Sequence, residues 1–512
     1  MARLPTPHRL SGLPRNGIWI LITGLLGLLS GAALQSRFGC SATTAAACVC
    51  ERRLRVQLDA ATVAAAHADS AQQQEGAAQD VQQQQPAQAD QHEQQAASQA
   101  AAAAEAPAPG RFVPDGYELP EECAKHEPLY AGILDSLRPW FERGVTREDM
   151  DACLAAVPAG YDVAKGTPQT HHPNLLIAQQ NSRFRLLTWE NEVIVTSGGM
   201  ERWGDHGQQG LHYFMIQQIQ DAARRFGLPD IEFAVGFGDD NSFDGGENSG
   251  GRGGPPLTAF PPAMCPLMTF AKHPKYTNLL IPSGEFVKWA YDEWVARMLA
   301  DPGPTWEQRE QRAVGRWSLF RTTHPHTDRW GVADQEDRQH YVAHSNATGH
   351  KYTNFSDVGA GHLPLSEQRR FRYTFNTDGF TASTRLAKLL ATGQTVIKQD
   401  SELIEFFYPA LQQWVHYVPS GRNGIAEIDR VVQFLRDHDH LARRVAGNAQ
   451  RFAATHLVTE GRLCYIKVLF EELAKLTRYR PRLEDFPTRI SWDEDVQRFL
   501  LREESLRIQP EA

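Results

Sequence analysis

The chain contains no C-x-x-C pair, no G-x-x-x-x-G-K-[ST] run and no G-x-G-x-x-G run. Those absences argue against a zinc ribbon, a thioredoxin-type redox centre, a P-loop and a dinucleotide-binding fingerprint. Cysteine is scarce, 7 in 512 residues, which excludes a small disulfide scaffold. There is no basic excess: Lys+Arg number 52 against 61 Asp+Glu, a net charge of -9 that leaves no electrostatic footprint for nucleic acid. Hydrophobic content of 41% and charged content of 22% are ordinary for folded protein and exclude a wholly disordered or collagenous chain. At roughly 100–200 residues per domain the length predicts two to four domains.

Two further absences are local. Residues 16–36 carry no charge, and residues 17–34 are almost entirely apolar or small. At ~1.5 Å per residue this run reaches roughly 27 Å, enough for a thin bilayer. Arg3, Arg9 and Arg15 precede it, so the positive-inside tendency predicts a signal anchor with a cytosolic tail and a lumenal body. A cleaved signal peptide, with Ala32 and Ala33 near the cut, and an organellar transit peptide are the alternatives. Residues 56–109 lack aromatics and are rich in Ala and Gln, so they cannot bury enough surface to fold alone and read as a stem. Two sequons, at Asn346 and Asn354, suit N-glycosylation in a lumen. The sequence ends in IQPEA without a K-D-E-L-type signal, which favours the Golgi over retention in the endoplasmic reticulum.

The expected division is a tail, anchor and Cys-containing juxtamembrane segment over 1–55, a stem over 56–112, an N-terminal α/β domain over 113–310, a C-terminal α/β domain over 311–475 and a tail over 476–512. Apolar spacing predicts helix over 118–143, a hairpin of strands over 184–188 and 191–196, an amphipathic helix over 208–226 stopped by Gly227, and a buried strand over 231–237. Residues 279–281 read as strand. In the second half, 315–320, 373–376 and 395–397 read as strands, and 383–390, 404–411, 424–438 and 441–456 as helices. Strands alternating with helices imply two doubly wound domains, whose ligands bind at the carboxyl ends of the strands.

Three strand-to-helix loops could therefore carry chemistry. The first holds Asp239, Asp240, Asn241 and Asp244. It reads as a general base at a strand end, as a site of hard oxygen ligands for a divalent ion, or as a solvated turn. The second runs from Phe320 through Thr322, Thr323, His324, His326 and Asp328 to Arg329; its hydroxyls and guanidinium groups suit phosphate oxygens, and its two histidines lack a third ligand for a metal. The third, residues 377–385, opens a helix with small and hydroxyl side chains and ends in Arg385, a pattern suited to a diphosphate; Ser383 reads alternatively as a plain N-cap.

The run YTFNTDGFTASTR over 373–385, followed by EFFYPAL over 405–411, WVHYVP over 414–419 and LCY over 463–465, resembles glycosyltransferase family 90, the Rumi-type protein O-glucosyltransferases and fungal capsule-associated proteins. The similarity covers about residues 118–475. The resemblance implies a GT-B fold, two Rossmann-like domains facing a cleft, and inverting, metal-independent transfer of glucose or xylose from a UDP-sugar to a hydroxyl of a protein or glycan acceptor, with no cofactor beyond the donor. LPDIEFAVGFGD over 228–239 is similar to the family segment ending in the catalytic Asp, which makes Asp239 the base. FRTT over 320–323 is similar to the family's F-R-G-S turn, making Thr323 a donor contact, and Arg329 corresponds to an Arg that contacts the nucleotide-sugar. Phe380, Thr381, Ala382, Ser383, Thr384 and Arg385 correspond to the donor-binding helix start. Cys123 and Cys464 correspond to a disulfide tying the C-terminal helix to the N-terminal domain. Gly238, Asp240 and Thr322 depart from the family pattern; the changes around Asp239 motivate a rival, a lumenal pseudoenzyme that only binds the nucleotide-sugar, and a second rival is a metal-dependent transferase using Asp239, Asp240 and Asp244.

Overall fold

The structure, a computed structural model, describes residues 119–154, 183–196, 209–236, 266–272, 278–301, 303–319, 338–379, 382–401 and 403–500. All belong to one unit, Glu93–Ala512; no residue of the other unit, Met1–His92, is among them. The apolar run over 17–34 and the stem thus lie outside the described residues, and no helix among those described is long and apolar enough to cross a membrane.

The first half begins with α1 (Glu121–Ala124), α2 (Ala131–Leu137) and α3 (Arg147–Leu154). The continuous helix expected over 118–143 is broken here, because Pro128 and Pro139 each restart the chain as a 3-10 turn. Strands β1 (Arg183–Trp189) and β2 (Glu192–Val195) form the expected antiparallel hairpin. Its two turn residues, Glu190 and Asn191, both have positive φ, as a two-residue turn matching strand twist requires. Helix α4 (Gln209–Phe226) buries Ile216, Ile219, Ala222 and Ala223 and stops at Gly227, whose φ of 71° closes the last turn. Then come β3 (Glu232–Gly236), β4 (Leu267–Thr269), β5 (Ala271–Lys272), β6 (Leu279–Leu280), α5 (Glu285–Lys288) and α6 (Tyr291–Ala300).

The second half contains β7 (Glu310–Trp317), α7 (Arg338–Ala347), β8 (Thr353–Asp357), α8 (Leu365–Gln368), β9 (Phe371–Asn376), α9 (Leu386–Ala391), β10 (Thr395–Gln399), β11 (Ile404–Glu405) and β12 (Val418–Ser420). Helices α10 (Glu427–Asp437), α11 (Asp439–His456) and α12 (Thr459–Leu476) follow, then β13 (Ile490–Ser491) and α13 (Trp492–Leu500). Residues 404–411 are not the helix their pattern suggested: β11 pairs antiparallel with β5, and Pro409 leaves only a 3-10 turn at Tyr408–Ala410.

Each half has its own sheet. The first runs β13-β2-β1-β3-β4-β6, with β3, β4 and β6 parallel and the hairpin side antiparallel. It is therefore mixed rather than doubly wound throughout. The second runs β12-β10-β9-β7-β8 and is parallel at every pairing. Strand β9 is buried along its whole length, which is what a strand covered on both faces requires.

The chain does not finish where its second sheet does. Helix α12 packs on α4, and β13 adds an edge strand beside β2. Residues 476–512 thus include part of the first sheet rather than a free tail. Cys464 on α12 is disulfide-bonded to Cys123 on α1, 341 residues earlier, and both sulfurs are fully buried. Closing so long a loop restricts the unfolded chain strongly. Replacing both cysteines with Ser is expected to cost about 2–5 kcal/mol and lower the melting temperature by about 3–6 °C for a body of this size, read by calorimetry without reductant. An unchanged melting temperature would refute a stabilising role.

Candidate donor site

The order of the second sheet sets where a ligand can sit. Counted within this half, the strands run second, first, third, fourth, fifth, and the chain reverses its direction of travel between β7 and β9. Loops leaving the carboxyl ends of those two strands part to opposite faces, and the crevice between them is the usual ligand position in such sheets.

Two arginines gather there, and a lysine stands one strand away, on β10. Arg385 reaches back under the crevice, donating Nη1 to the carbonyl of Arg316 at the end of β7 and Nη2 to that of Phe375 on β9 at 3.5 Å. Its guanidinium lies 5.9 Å from the Trp317 ring centre. Arg338, the first residue of α7, bridges the same two loops, with Nε donating to the Asp378 carbonyl at 2.9 Å and Nη1 to that of Ser318 at 3.4 Å. Burial pushes the Arg338 pKa down to about 10 against the pull of Asp378. Lys398 lies at the end of β10, in register with Asn376. Its buried Nζ donates to the Gln399 carbonyl at 3.1 Å and stands 5.0 Å from the Tyr408 ring centre. Burial lowers its pKa, while Asp378, Asp400 and Glu405 raise it.

The turn after β9 is held from below. Gln399 Oε1 accepts from Thr377 Oγ1 at 2.5 Å and from the Asp378 amide at 3.2 Å. Several buried groups at this end of the sheet have no hydrogen-bond partner among the described residues: both side-chain polar atoms of Asn376, Oδ2 of Asp378 and Oγ of Ser420.

The family model for Glycosyl transferase family 90 matches residues 178–505, more than half of the chain. The chain belongs to glycosyl transferase family 90. Among its relatives, protein O-glucosyltransferase 2 of Danio rerio is 26% identical over 290 residues, covering 55% of this chain and 54% of that one. An O-glucosyltransferase rumi homolog of Anopheles gambiae is 29% identical over 240 residues, covering 42% of this chain and 57% of that one. Protein O-glucosyltransferase 3 of Homo sapiens is 22% identical over 398 residues, covering 72% and 74%. The chain thus spans only about half the length of the first of these relatives.

Within this family member, the sequence-derived candidates divide sharply. Asp239, Thr323, Arg329, Phe380 and Thr381 lie outside the described residues, as do Asp240 and Asp244. Described are Gly236, ending the buried strand β3 three residues before Asp239, and Ser318 beyond the end of β7. Ala382 and Ser383 are buried, and Thr384 and Arg385 are half-buried. Helix α9 begins at Leu386 rather than Ser383, and no side chain caps it; Ser383 contributes its carbonyl, which accepts from the Leu386 amide at 2.9 Å. A helix this short sums few peptide dipoles, so the positive character here comes from the side chains of Arg338, Arg385 and Lys398.

Sequence reasoning does not reach Arg338 or Lys398, since a charge inside a strand or opening a helix reads as solvated surface until the parallel pairing is known. The two sequons also differ. Asn346 is exposed on α7, whereas Asn354, half-buried on edge strand β8, has its Oδ1 taken by Arg316 Nη2 at 2.7 Å. Among the described residues no group of three His, Cys, Asp or Glu side chains is placed to hold a metal ion.

Proposed function

We propose that this chain is an inverting glycosyltransferase of GT-B arrangement that moves glucose or xylose from a UDP-sugar to a hydroxyl of a protein or glycan acceptor. The observation that carries the reading is the meeting of Arg338 and Arg385 at the reversal point of the parallel sheet in a family 90 chain. Cationic side chains here suit a diphosphate; of the three carboxylates nearby, Asp400 is paired with Arg422, while Asp378 and Glu405 are buried.

In this mechanism Asp239 takes the proton of the acceptor hydroxyl as its oxygen attacks the anomeric carbon from the face opposite UDP. One displacement inverts that centre. The departing diphosphate gains negative charge, which Arg329, Arg385 and the cations beneath the crevice stabilise without a metal. Thr323 and residues Phe380, Thr381, Ala382, Ser383 and Thr384 contact the donor. A signal anchor over 17–34 would hold the enzyme as a single-pass type II protein of the Golgi or endoplasmic reticulum membrane, with an N-glycan at Asn346 or Asn354.

A thermal-shift titration tests the donor site. UDP or UDP-glucose at 100 times its dissociation constant is expected to stabilise the protein by about 2.7 kcal/mol, a rise of a few degrees that excess chelator does not change. GDP should give no comparable rise. Loss of the rise in chelator would replace this mechanism with a metal-dependent one, and no rise with any nucleotide would overturn the reading.

A further inference from the structure

The chain crosses between its halves before β7 and again before α12. It also reaches across in between. After β10 it leaves the second sheet, and β11 pairs antiparallel with β5, Ile404 opposite Lys272 and Glu405 opposite Ala271. Strand β5 follows directly on β4, a strand of the first sheet. The chain then runs through Phe406, Phe407 and the 3-10 turn at Tyr408–Ala410 and returns to the second sheet as β12.

This arm, residues 404–410, is seated closely in the first half. Phe406 and Phe407 are fully buried. The Phe406 ring stands edge-on to Phe286 of α5 and to Tyr465 of α12, with centroids 5.8 and 5.0 Å apart. Pro409 lies against α2 at Gly132, where an added Cβ would come within 2.7 Å of its Cγ. Lys272 joins the two elements that grip the arm. From β5 its buried Nζ donates to Ser136 Oγ on α2 at 3.0 Å and to the Asn278 carbonyl, just before β6, at 2.7 Å. A buried ammonium is costly without acceptors placed for it, so these bonds fix β5 relative to α2.

Parts of a chain move against each other by default unless the contact between them is large and apolar. Here a single apolar core holds Phe286 and Tyr465 of the first half together with Phe406, Phe407 and Leu386 of the second. The arm also follows the carboxyl end of β10 and meets the segment following that of β4, the ends at which such sheets bind ligands.

We propose that residues 404–410 are a fixed strut between the halves and that Lys272 is the positioning residue that holds the strut's socket together. The spacing between the carboxyl ends of β3 and β9 is thereby set before any ligand binds, and the halves do not swing together on UDP. The catalytic consequence rests on the nucleotide-sugar reading above. A base and a donor carried on different halves lose about 10²-fold in rate for a misplacement of about 1 Å. Disturbing the strut therefore costs rate, whereas UDP is held by one half and keeps its affinity.

A distance measurement tests the strut. Glu148 on α3 and Arg430 on α10 are both exposed. In the full chain both are replaced by p-acetylphenylalanine and spin-labelled for double electron–electron resonance. The labelled chain is expected to give one narrow distance distribution, whose peak moves by less than about 2 Å when UDP is added. A broad or two-peaked distribution without ligand, or a larger shift with UDP, overturns the strut. Lys272→Met is expected to broaden the distribution and to lower kcat about ten- to a hundredfold, with UDP affinity by calorimetry within about threefold of wild type. A lysine that serves stability alone would lower the melting temperature without that split. Wild-type kcat in Lys272→Met, or a loss of UDP affinity matching the loss of kcat, overturns the role of Lys272. Should Lys272→Met fail to fold, Ser136→Ala removes one of its two bonds and is read in the same way. A wild-type chain that binds no UDP withdraws the donor reading, and the ligand-free distribution still decides the strut.

Discussion

Asp239→Asn is expected to lower sugar transfer by about 10²–10⁴-fold while leaving UDP affinity unchanged. The substitution is nearly isosteric, so it removes a proton acceptor without opening a cavity. The acceptor hydroxyl then attacks without a base, and the loss falls on kcat. The proposed position rests on a concrete feature of the fold. Strand β3 is buried along its length, hydrogen-bonded on one side to β1 and on the other to β4, and ends at Gly236. Ligands in such sheets gather beyond the carboxyl ends of the strands, and Asp239 follows Gly236 by three residues in the sequence. Adding a Cβ at Gly236 would bring it within 2.8 Å of the Leu267 side chain, so the strand end is also closely packed and a poor place for backbone drift. Single-turnover assays with UDP-glucose and a hydroxyl acceptor would read the loss, and calorimetry would read the affinity. Full transfer by the variant would remove Asp239 from the mechanism. A parallel loss of UDP binding would make it a donor-site residue instead of a base.

The parts of this fold that were legible in the sequence are those whose signal is local. Helix α4 announces itself through apolar spacing and Gly227, and the β1–β2 hairpin through two short apolar runs around a two-residue turn. Strand β9 and the turn after it carry the family resemblance. What was not legible depends on partners distant in the chain. Strand β8, Thr353–Asp357, is a polar edge strand with alternating burial too weak to stand out from a loop. Strands β5 and β11 are two residues each and exist only because they meet. Residues 490–491 become strand because β2 has a free edge for them. Helix α12 is buried on nearly all sides, from Gly461 to Phe470, because α4 and the segment around Cys123 cover it together; its sequence holds Arg462 and Lys467, which a one-sided pattern would assign to solvent. Arg462 is instead spent internally, on Gln218, Asp292 and the Leu457 carbonyl. The candidate site follows the same division. Its turn could be read, but Lys398 and Arg338 belong to it only through the parallel register and the return of α7.

Acidification from pH 7 to about 4.5 is expected to destabilise the protein through three histidines packed where α11 meets α12. The His126 ring is fully buried and lies edge-on to that of His456, centroids 5.6 Å apart; Phe452 then stands 5.1 Å from His456 and 5.0 Å from His416. The groups facing them are largely cationic. Lys125 and Arg225 oppose protonation of His126, and only Glu460, 3.7 Å from its Nε2, favours it. Burial pushes His416 down to about 4, and burial together with His126, His416 and Lys125 pushes His456 to about 4. Room for His126 depends on Gly461, where a Cβ would meet the His456 carbonyl at 2.0 Å and His126 Nδ1 at 3.1 Å. A base whose folded pKa lies below its unfolded value near 6.5 gives full stability above pH 6.5, because the unfolded chain takes up the proton first as pH falls. Stability is then lost progressively between about 6.5 and 4. His416 and His456 are each only partly buried, which weakens the effect, so the pair is expected to cost about 2–4 kcal/mol by pH 4.5. Urea denaturation at a series of pH values would read the slope. In His416→Gln/His456→Gln the slope between pH 6.5 and 4.5 should flatten, because Gln keeps a polar group but binds no proton. An equally steep slope in that variant would assign the acid sensitivity to carboxylates elsewhere, and a wild-type profile flat across this window would show that the buried histidines protonate without strain.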